Sequence, residues 1–560
     1  MLRQPSGIQV TSNMKTPILG SAYVARSINA ADNRMVNLFP EVIPEGGKEA
    51  GFLNRAPGLN FLQTVGTGPI RALWAHQTNG SDFYVVSGNQ FFKLTGLNAT
   101  PMLLGTVTGT GPVSIADNGT QIFLACNPDG FIYNEVTNVF AQITDPDFAG
   151  AVTVAYLDGY FVFNQPNSQF IWVSQLLNGQ SVDPLDFASA EGSPDGVVGI
   201  IADHRELWVF GTDSVEVWYN TGGADFPLER IQGAFNEIGC VSAYTIAKMD
   251  NGLFWLGTDA RGQGIVYRAN GYTGVRISTH AVEYAIAQYG NISDAIAYTY
   301  QQEGHAFYVL TFPSGNATWV YDVATQAWHE RAGFVNGDFI RHRSNCQCNF
   351  GGNIIVGDFE NGNIYTFDLD VYADNGGIQK WLRSWRALPT GTNNLKRTAH
   401  HSLQLDCETG VGLNLYPGYD SENIDTESGL DLVAEYVQTF LATQSGVTLT
   451  TEAGDGFEPL GQYELSDEDI SGYNLVTNSY LAAPGYDPQV MLRWSDDGGH
   501  TWSNEHWSPI GKIGAYGHRT FWRRLGMTLK LRDRVYELSG TDPNKIAIMG
   551  AELIISPTNA

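Results

Sequence analysis

Ala72-Leu-Trp-Ala-His76, Asp82-Phe-Tyr-Val-Val86 and Gln90-Phe-Phe-Lys-Leu94 are short apolar runs separated by turn residues. Each is the length of a strand and too short for a helix, and its aromatic and β-branched side chains suit a pleated, half-buried surface. The unit reads strand, turn, strand, turn, strand. It returns as Val113-Ser-Ile-Ala116, Gln121-Ile-Phe-Leu-Ala125 and Phe131-Ile-Tyr133, then as Val152-Thr-Val-Ala-Tyr156, Tyr160-Phe-Val-Phe163 and Phe170-Ile-Trp-Val173. A further copy holds Gly199-Ile-Ile201, Glu206-Leu-Trp-Val-Phe210 and Val215-Glu-Val-Trp-Tyr219, and later ones contain Leu253-Phe-Trp-Leu256, Ala306-Phe-Tyr-Val-Leu310 and Asn353-Ile-Ile-Val356. Strand triplets at a period of roughly 40 residues predict an irregular β-propeller of six or seven blades, because one small sheet cannot bury both faces until neighbours stack around an axis.

The propeller is expected over residues 68–375. One interruption, Thr279-His-Ala-Val-Glu-Tyr-Ala-Ile-Ala-Gln-Tyr289, spaces Val282, Ile286 and Tyr289 as on a helix behind a Thr that can cap, so a short helix laid over one blade is expected. Residues 1–67 are turn-rich and weakly periodic; they read as an arm packing on an adaptor or the C-terminal domain, or as an irregular leader. Residues 376–560 read as a C-terminal β domain, sandwich-like, with an acidic insertion at about 411–486. No Lys or Arg falls between Arg397 and Arg493, while Asp420, Glu422, Asp425, Glu427, Asp431 and Glu435 all do. A solvated surface is the plain reading of such a run. The end of the chain turns basic, with Arg519, Arg523, Arg524, Lys530, Arg532 and Arg534 among strands such as Met527-Thr-Leu-Lys-Leu531 and the run Ala547 to Ile555.

The net charge is −27, with charged residues at only 16%. A chain this acidic repels polyanions, which argues against gripping DNA with a basic face. Five scattered cysteines and an N-terminus without an apolar signal core suggest reduced thiols in a protein assembled inside the cell, and no run is long and apolar enough to span a bilayer.

Candidate chemistry is sparse. The stretch Arg493-Trp-Ser-Asp-Asp-Gly-Gly-His-Thr-Trp502 is written as a hairpin, with Asp and Gly at positive-φ positions. Ser495, Asp497, Gly499, Thr501 and Trp502 match the Asp-box of sialidases and related propellers, a structural turn remote from their active sites. Paired carboxylates such as Asp467-Glu-Asp469 are expected by accident in so acidic a chain. Cys346-Gln-Cys348 near His342 lacks a second ligand pair for zinc, and His400-His401 should point to opposite faces of a strand. Gly109 to Gly111 has no following helix, and no Ser/His/Asp set can be placed. No catalytic residue, metal site or cofactor is expected.

Several blocks together resemble the packaged-DNA stabilisation proteins of short-tailed phages, the tail hub or nozzle family. They are Asn37-Leu-Phe-Pro40, Asn54-Arg-Ala-Pro-Gly-Leu59, Ser193-Pro-Asp-Gly-Val-Val-Gly-Ile200 leading into Glu206 to Trp218, the Thr279 helix, the Asp-box hairpin and Phe521-Trp-Arg-Arg-Leu-Gly526. The resemblance implies a non-enzymatic virion tail protein, assembled in the host cytoplasm as a homo-oligomeric ring, commonly a hexamer. It would dock below the head-to-tail adaptor ring, carry tail fibres or tailspikes, meet a tail needle or plug, and pass packaged DNA without reading its sequence. On this reading Asp420, Glu422, Asp425, Glu427, Asp431 and Glu435 line the DNA channel, and Arg519, Arg523, Arg524 and Arg532 contact neighbouring subunits or the adaptor. The insertion is longer than in the family's shorter members, so the occupant of the tip stays open. The competing expectation is a propeller that binds or hydrolyses glycans, sialidase-like, on the same virion.

Overall fold

A computed structural model of the chain describes residues 12–557 except 28–30, 46, 48, 77–81, 191, 194, 224–225, 389–396, 414–423, 426–430, 433–439, 443–447, 450–475, 479–484 and 529–533. Between 424 and 478 only the backbone of short strands is described.

The first blade is an antiparallel sheet of Ile70–Ala75, Phe83–Ser87, Gln90–Leu94 and Met102–Thr106. Six more follow around the axis, beginning at Ser114, Val154, Val197, Gly239, Ile296 and Ser344, so the propeller has seven blades. Their middle strands are buried on both faces, as in Phe83–Ser87 and Gln121–Cys126. Large side chains fill the spaces between blades: Tyr84, Phe91 and Tyr133 between the first and second, and Phe123, Phe161 and Phe163 between the second and third. Each blade carries a fourth, outer strand beyond the expected triplet. Several of these strands are half solvated, as in Met102–Thr106 and Val139–Gln142, and therefore lack the apolar run that marks the inner ones; that of the sixth blade, Ala327–Glu330, is instead buried under the sandwich.

The seventh blade, Ser344–Phe350, Asn353–Asp358 and Asn363–Asp368, takes its outer strand from the N-terminal segment: Gly58–Thr64 runs antiparallel to Asn363–Asp368, with Leu59 opposite Phe367. Backbone approach there is too close for side chains. A Cβ on Gly68, whose φ is +76°, would stand 2.0 Å from the Asn361 carbonyl carbon. Asn345 completes the circle by donating to the Ile70 carbonyl at 2.9 Å.

Among the described residues before Gly58, the strands Ser12–Lys15, Met35–Val36, Leu38–Val42 and Gly51–Arg55 join the C-terminal β-sandwich. One of its sheets orders Phe521–Met527, Thr398–Cys407, Ala547–Pro557, Gly51–Arg55 and Leu38–Val42, with Ser12–Lys15 also on Ala547–Pro557. The other orders Met35–Val36, Trp381–Arg386, Val535–Gly540, Gln489–Ser495 and His506–Pro509, and continues the sixth blade through a parallel bridge between Glu330 and Val36. Trp381, Trp385, Tyr536, Leu403 and Leu553 form a core that runs without a break to Phe254, Tyr308 and Trp328 of the propeller. The helix His280–Ile286, capped by Thr279, buries Val282 and Ile286 in that core. Of the strand expected at Met527 to Leu531, residues 529–531 lie outside the described residues; Phe521–Met527 before them is a strand in which Trp522 and Leu525 are buried around a bulge at Arg524, whose φ is +60°.

Candidate functional site

The Asp-box turn is built from its own side chains. Asp497 accepts from Ser495 Oγ at 2.6 Å, from the His500 and Thr501 amides at 3.0 and 2.8 Å, and from Thr501 Oγ1 at 2.6 Å, which holds its carboxyl well below the usual carboxylate range. Gly498 and Gly499 take φ of +78° and +107°. Arg493 lies over the Trp502 ring at 4.8 Å. The next residue back, Asp496, receives both arms of Arg534 at 2.7 and 2.8 Å, and Arg534 also donates to the Leu525 carbonyl. One buried guanidinium thus ties the hairpin to the Trp522-to-Leu525 block, so Arg534 does not face outward with the other basic residues. The Ser495, Asp497 and Thr501 side chains are all engaged in holding the turn.

Arg519, Arg523 and Arg524 are exposed on the edge strand and the loop before it, while Arg532 lies outside the described residues. Arg519 donates to Gln404 at 3.0 Å, and Arg523 stacks on Phe521 at 4.4 Å. Trp507, Ile513, Tyr516 and Phe521 are exposed on the same edge.

The acidic insertion leaves and rejoins the sandwich at a closed neck. The Leu413 amide donates to the Gly485 carbonyl at 2.7 Å, and the buried Asn544 amide donates to Val411 and Gly485 carbonyls at 2.8 and 3.0 Å. The Asn544 carbonyl accepts from Arg55 at 2.7 Å. Arg55 is fully buried and also donates to Asp542, Tyr372 and Gln379 carbonyls and to Gln379 Oε1. Its ordinary pKa is pushed down to about 10 by burial, which leaves it charged at neutral pH. Asp420, Glu422, Glu427 and Glu435 fall outside the described residues. Asp425 and Asp431 stand opposite one another in a short backbone ladder. Arg55 and Asn544 are functional-site neighbours to which sequence reasoning assigned no role, although Arg55 lies inside the Asn54-to-Leu59 block.

The axial cavity of the propeller, about 540 Å³, is lined by inner strands of all seven blades with polar and apolar surface in about equal measure, and Arg71 and Lys248 are its cations. Arg71 is turned into backbone, donating to Gly111, Gly88 and Thr108 carbonyls. At the other end of the same strand His76 bridges the first and second blades, between Asp117 at 3.3 Å and Glu135 at 2.9 Å, and those hydrogen bonds push its pKa up to about 10. Cys346 and Cys348 are free thiols in the seventh blade, and burial pushes Cys348 up to about 12. Among the described residues no group of three His, Cys, Asp or Glu side chains is placed to hold a metal. His400 is buried against Tyr536, and His401 turns out to Ser556.

These features define a seven-bladed β-propeller fused through a continuous core to a β-sandwich. The family model described as bacteriophage P22 Gp10, β-propeller, matches residues 14–372, and the one described as P22 Gp10, β-sandwich, matches residues 475–556. The chain belongs to this family, the packaged-DNA stabilisation proteins of short-tailed phages. A comparison with curated proteins found no match. Similar solved structures include a computationally designed protein at 13% identity, covering 56% of this chain and 99% of that one with a TM-score of 0.34. Another is a structure of the mitotic checkpoint complex at 11% identity, covering 66% and 98% with a TM-score of 0.35.

Proposed function

We propose that this chain is a structural protein of the virion tail: the hub or nozzle that continues the DNA channel below the head-to-tail adaptor ring, retains the packaged genome and opens for ejection. The observation that carries this reading is the family match across both the propeller and the sandwich, in a chain whose two parts share one core. Charge supports it. A conduit that passes DNA quickly should repel phosphate rather than exchange counterions with it, and the chain carries a net −27. The insertion, hung from its neck, presents Asp420, Glu422, Asp425, Glu427, Asp431 and Glu435 to the channel. Copies form a ring, a hexamer, assembled in the host cytoplasm, that meets fibres or tailspikes and a needle. The glycan reading is weaker because Ser495, Asp497 and Thr501 are all engaged in their own turn. Reversing Asp420, Glu422, Asp425 and Glu427 to Lys tests the channel assignment: tails should assemble but deliver DNA slowly or not at all, and normal infectivity would overturn it.

A further inference from the structure

Elsewhere on the described surface, exposed cations mostly have a carboxylate partner: Arg205 pairs with Asp158, Arg261 with Asp259, Lys545 with Glu408 and Lys15 with Glu49. On one edge of the sandwich Lys512, Arg519, Arg523 and Arg524 are exposed together, Arg519 on Gln404 and Lys512 over the Tyr486 ring, among Trp507, 59% exposed, and Tyr516, 77% exposed. The outermost strands of both sandwich sheets, His506–Pro509 and Phe521–Met527, meet at this edge, where Trp522 Nε1 donates to the His506 carbonyl at 2.7 Å. Exposed Trp and Tyr beside Arg is the composition of protein interface centres. The bulge at Arg524 and the outward arginines blunt the strand against backbone pairing, so a partner must be held by side chains.

We propose that this basic, aromatic edge binds the acidic surface of a second copy of the chain, head to tail; the inference rests on the ring reading above and supplies its contact. The charges exclude a two-fold dimer through the edge, because a self-complementary contact would set arginines against arginines. With 58 carboxylates against 31 Lys and Arg, almost any other face that a second copy offers is complementary. A heterologous contact of this kind generates a ring when its rotation closes.

The test is sedimentation of the full chain beside the R519E/R523E/R524E variant and the R519K/R523K/R524K variant, with melting temperature as the check on folding. The wild type should associate into a ring, less tightly as salt rises. The Glu variant should melt as the wild type does yet associate about a hundredfold more weakly, and the Lys variant should keep most of the association. Mixed with wild type, the Glu variant should cap growing assemblies, since its acidic face is intact. A Glu variant that forms rings as tightly as wild type overturns this contact and leaves the ring reading standing. A wild type that stays monomeric overturns both. A DNA duplex that binds wild type through these arginines overturns the contact in favour of nucleic acid.

Discussion

The Arg55 guanidinium donates to the Asn544 carbonyl at 2.7 Å, and the Asn544 side chain holds both ends of the acidic insertion. The same guanidinium reaches Tyr372 and Gln379, at the exit from the propeller. One residue of the N-terminal segment thereby links the neck of the insertion to the exit from the propeller. Arg55→Met leaves several buried carbonyls without donors and is expected to cost about 4 kcal/mol of stability in urea unfolding. Arg55→Lys should recover little, because an ammonium cannot reproduce the planar fork.

Ring closure makes a second prediction. Gly68 packs its α-carbon against the Asn361–Gly362 backbone at positive φ. Gly68→Ala is expected to cost about 3 kcal/mol or more, and hydrogen exchange should rise first in Gly58–Thr64 and the seventh blade. Unchanged protection there would contradict closure by the N-terminal strand.

The blades were legible because inner strands such as Glu206–Gly211 are buried on both faces and so carry continuous apolar runs. The helix was legible from Thr279, Val282 and Ile286, a cap and one buried face. The outer strands were not, since Met102–Thr106 and Gly58–Thr64 are half solvated, and the latter pairs with a strand about 300 residues away that no local pattern announces. Arg534 illustrates a different limit. Its charge looked like surface, and only the fold shows it buried on Asp496. The carboxylates proposed to line the channel have no local signature beyond composition, which places charge in a segment but not on a wall.

The Asp496 and Arg534 pair is expected to hold the hairpin to the sandwich. Asp496→Asn should cost about 3 kcal/mol, since it leaves Arg534 buried without its counter-charge. Trp494 and Tyr536 flank that guanidinium, so the loss should also appear in near-ultraviolet dichroism.

His76 gives a pH signature with a definite sign. Its pKa is raised to about 10 in the folded chain, against about 6.5 unfolded. Its contribution is therefore complete below about pH 6.5 and lost as pH rises through about 10. His76→Gln should destabilise more at pH 6 than at pH 10, measured as unfolding free energies on both proteins. An equal cost at the two values would remove the charged bridge between the first and second blades.

Asp497 titrates in the opposite sense. Its folded pKa is depressed by the hydrogen bonds of its own turn, so its support is present above about pH 4 and fades as acid protonates it. Trp502 fluorescence should report the turn loosening in acid, and Asp497→Asn should remove that dependence. Neither protein should turn over a glycan.

If this chain builds the axial tube of a phage tail, as proposed, a reconstruction of the virion tail at a resolution that traces chains will show six copies in a ring beneath the adaptor, around the DNA path, with insertions directed to the lumen and the edge at Arg523 against the next copy. Copies placed off the axis, on fibres or spikes with propeller mouths facing outward, would contradict it.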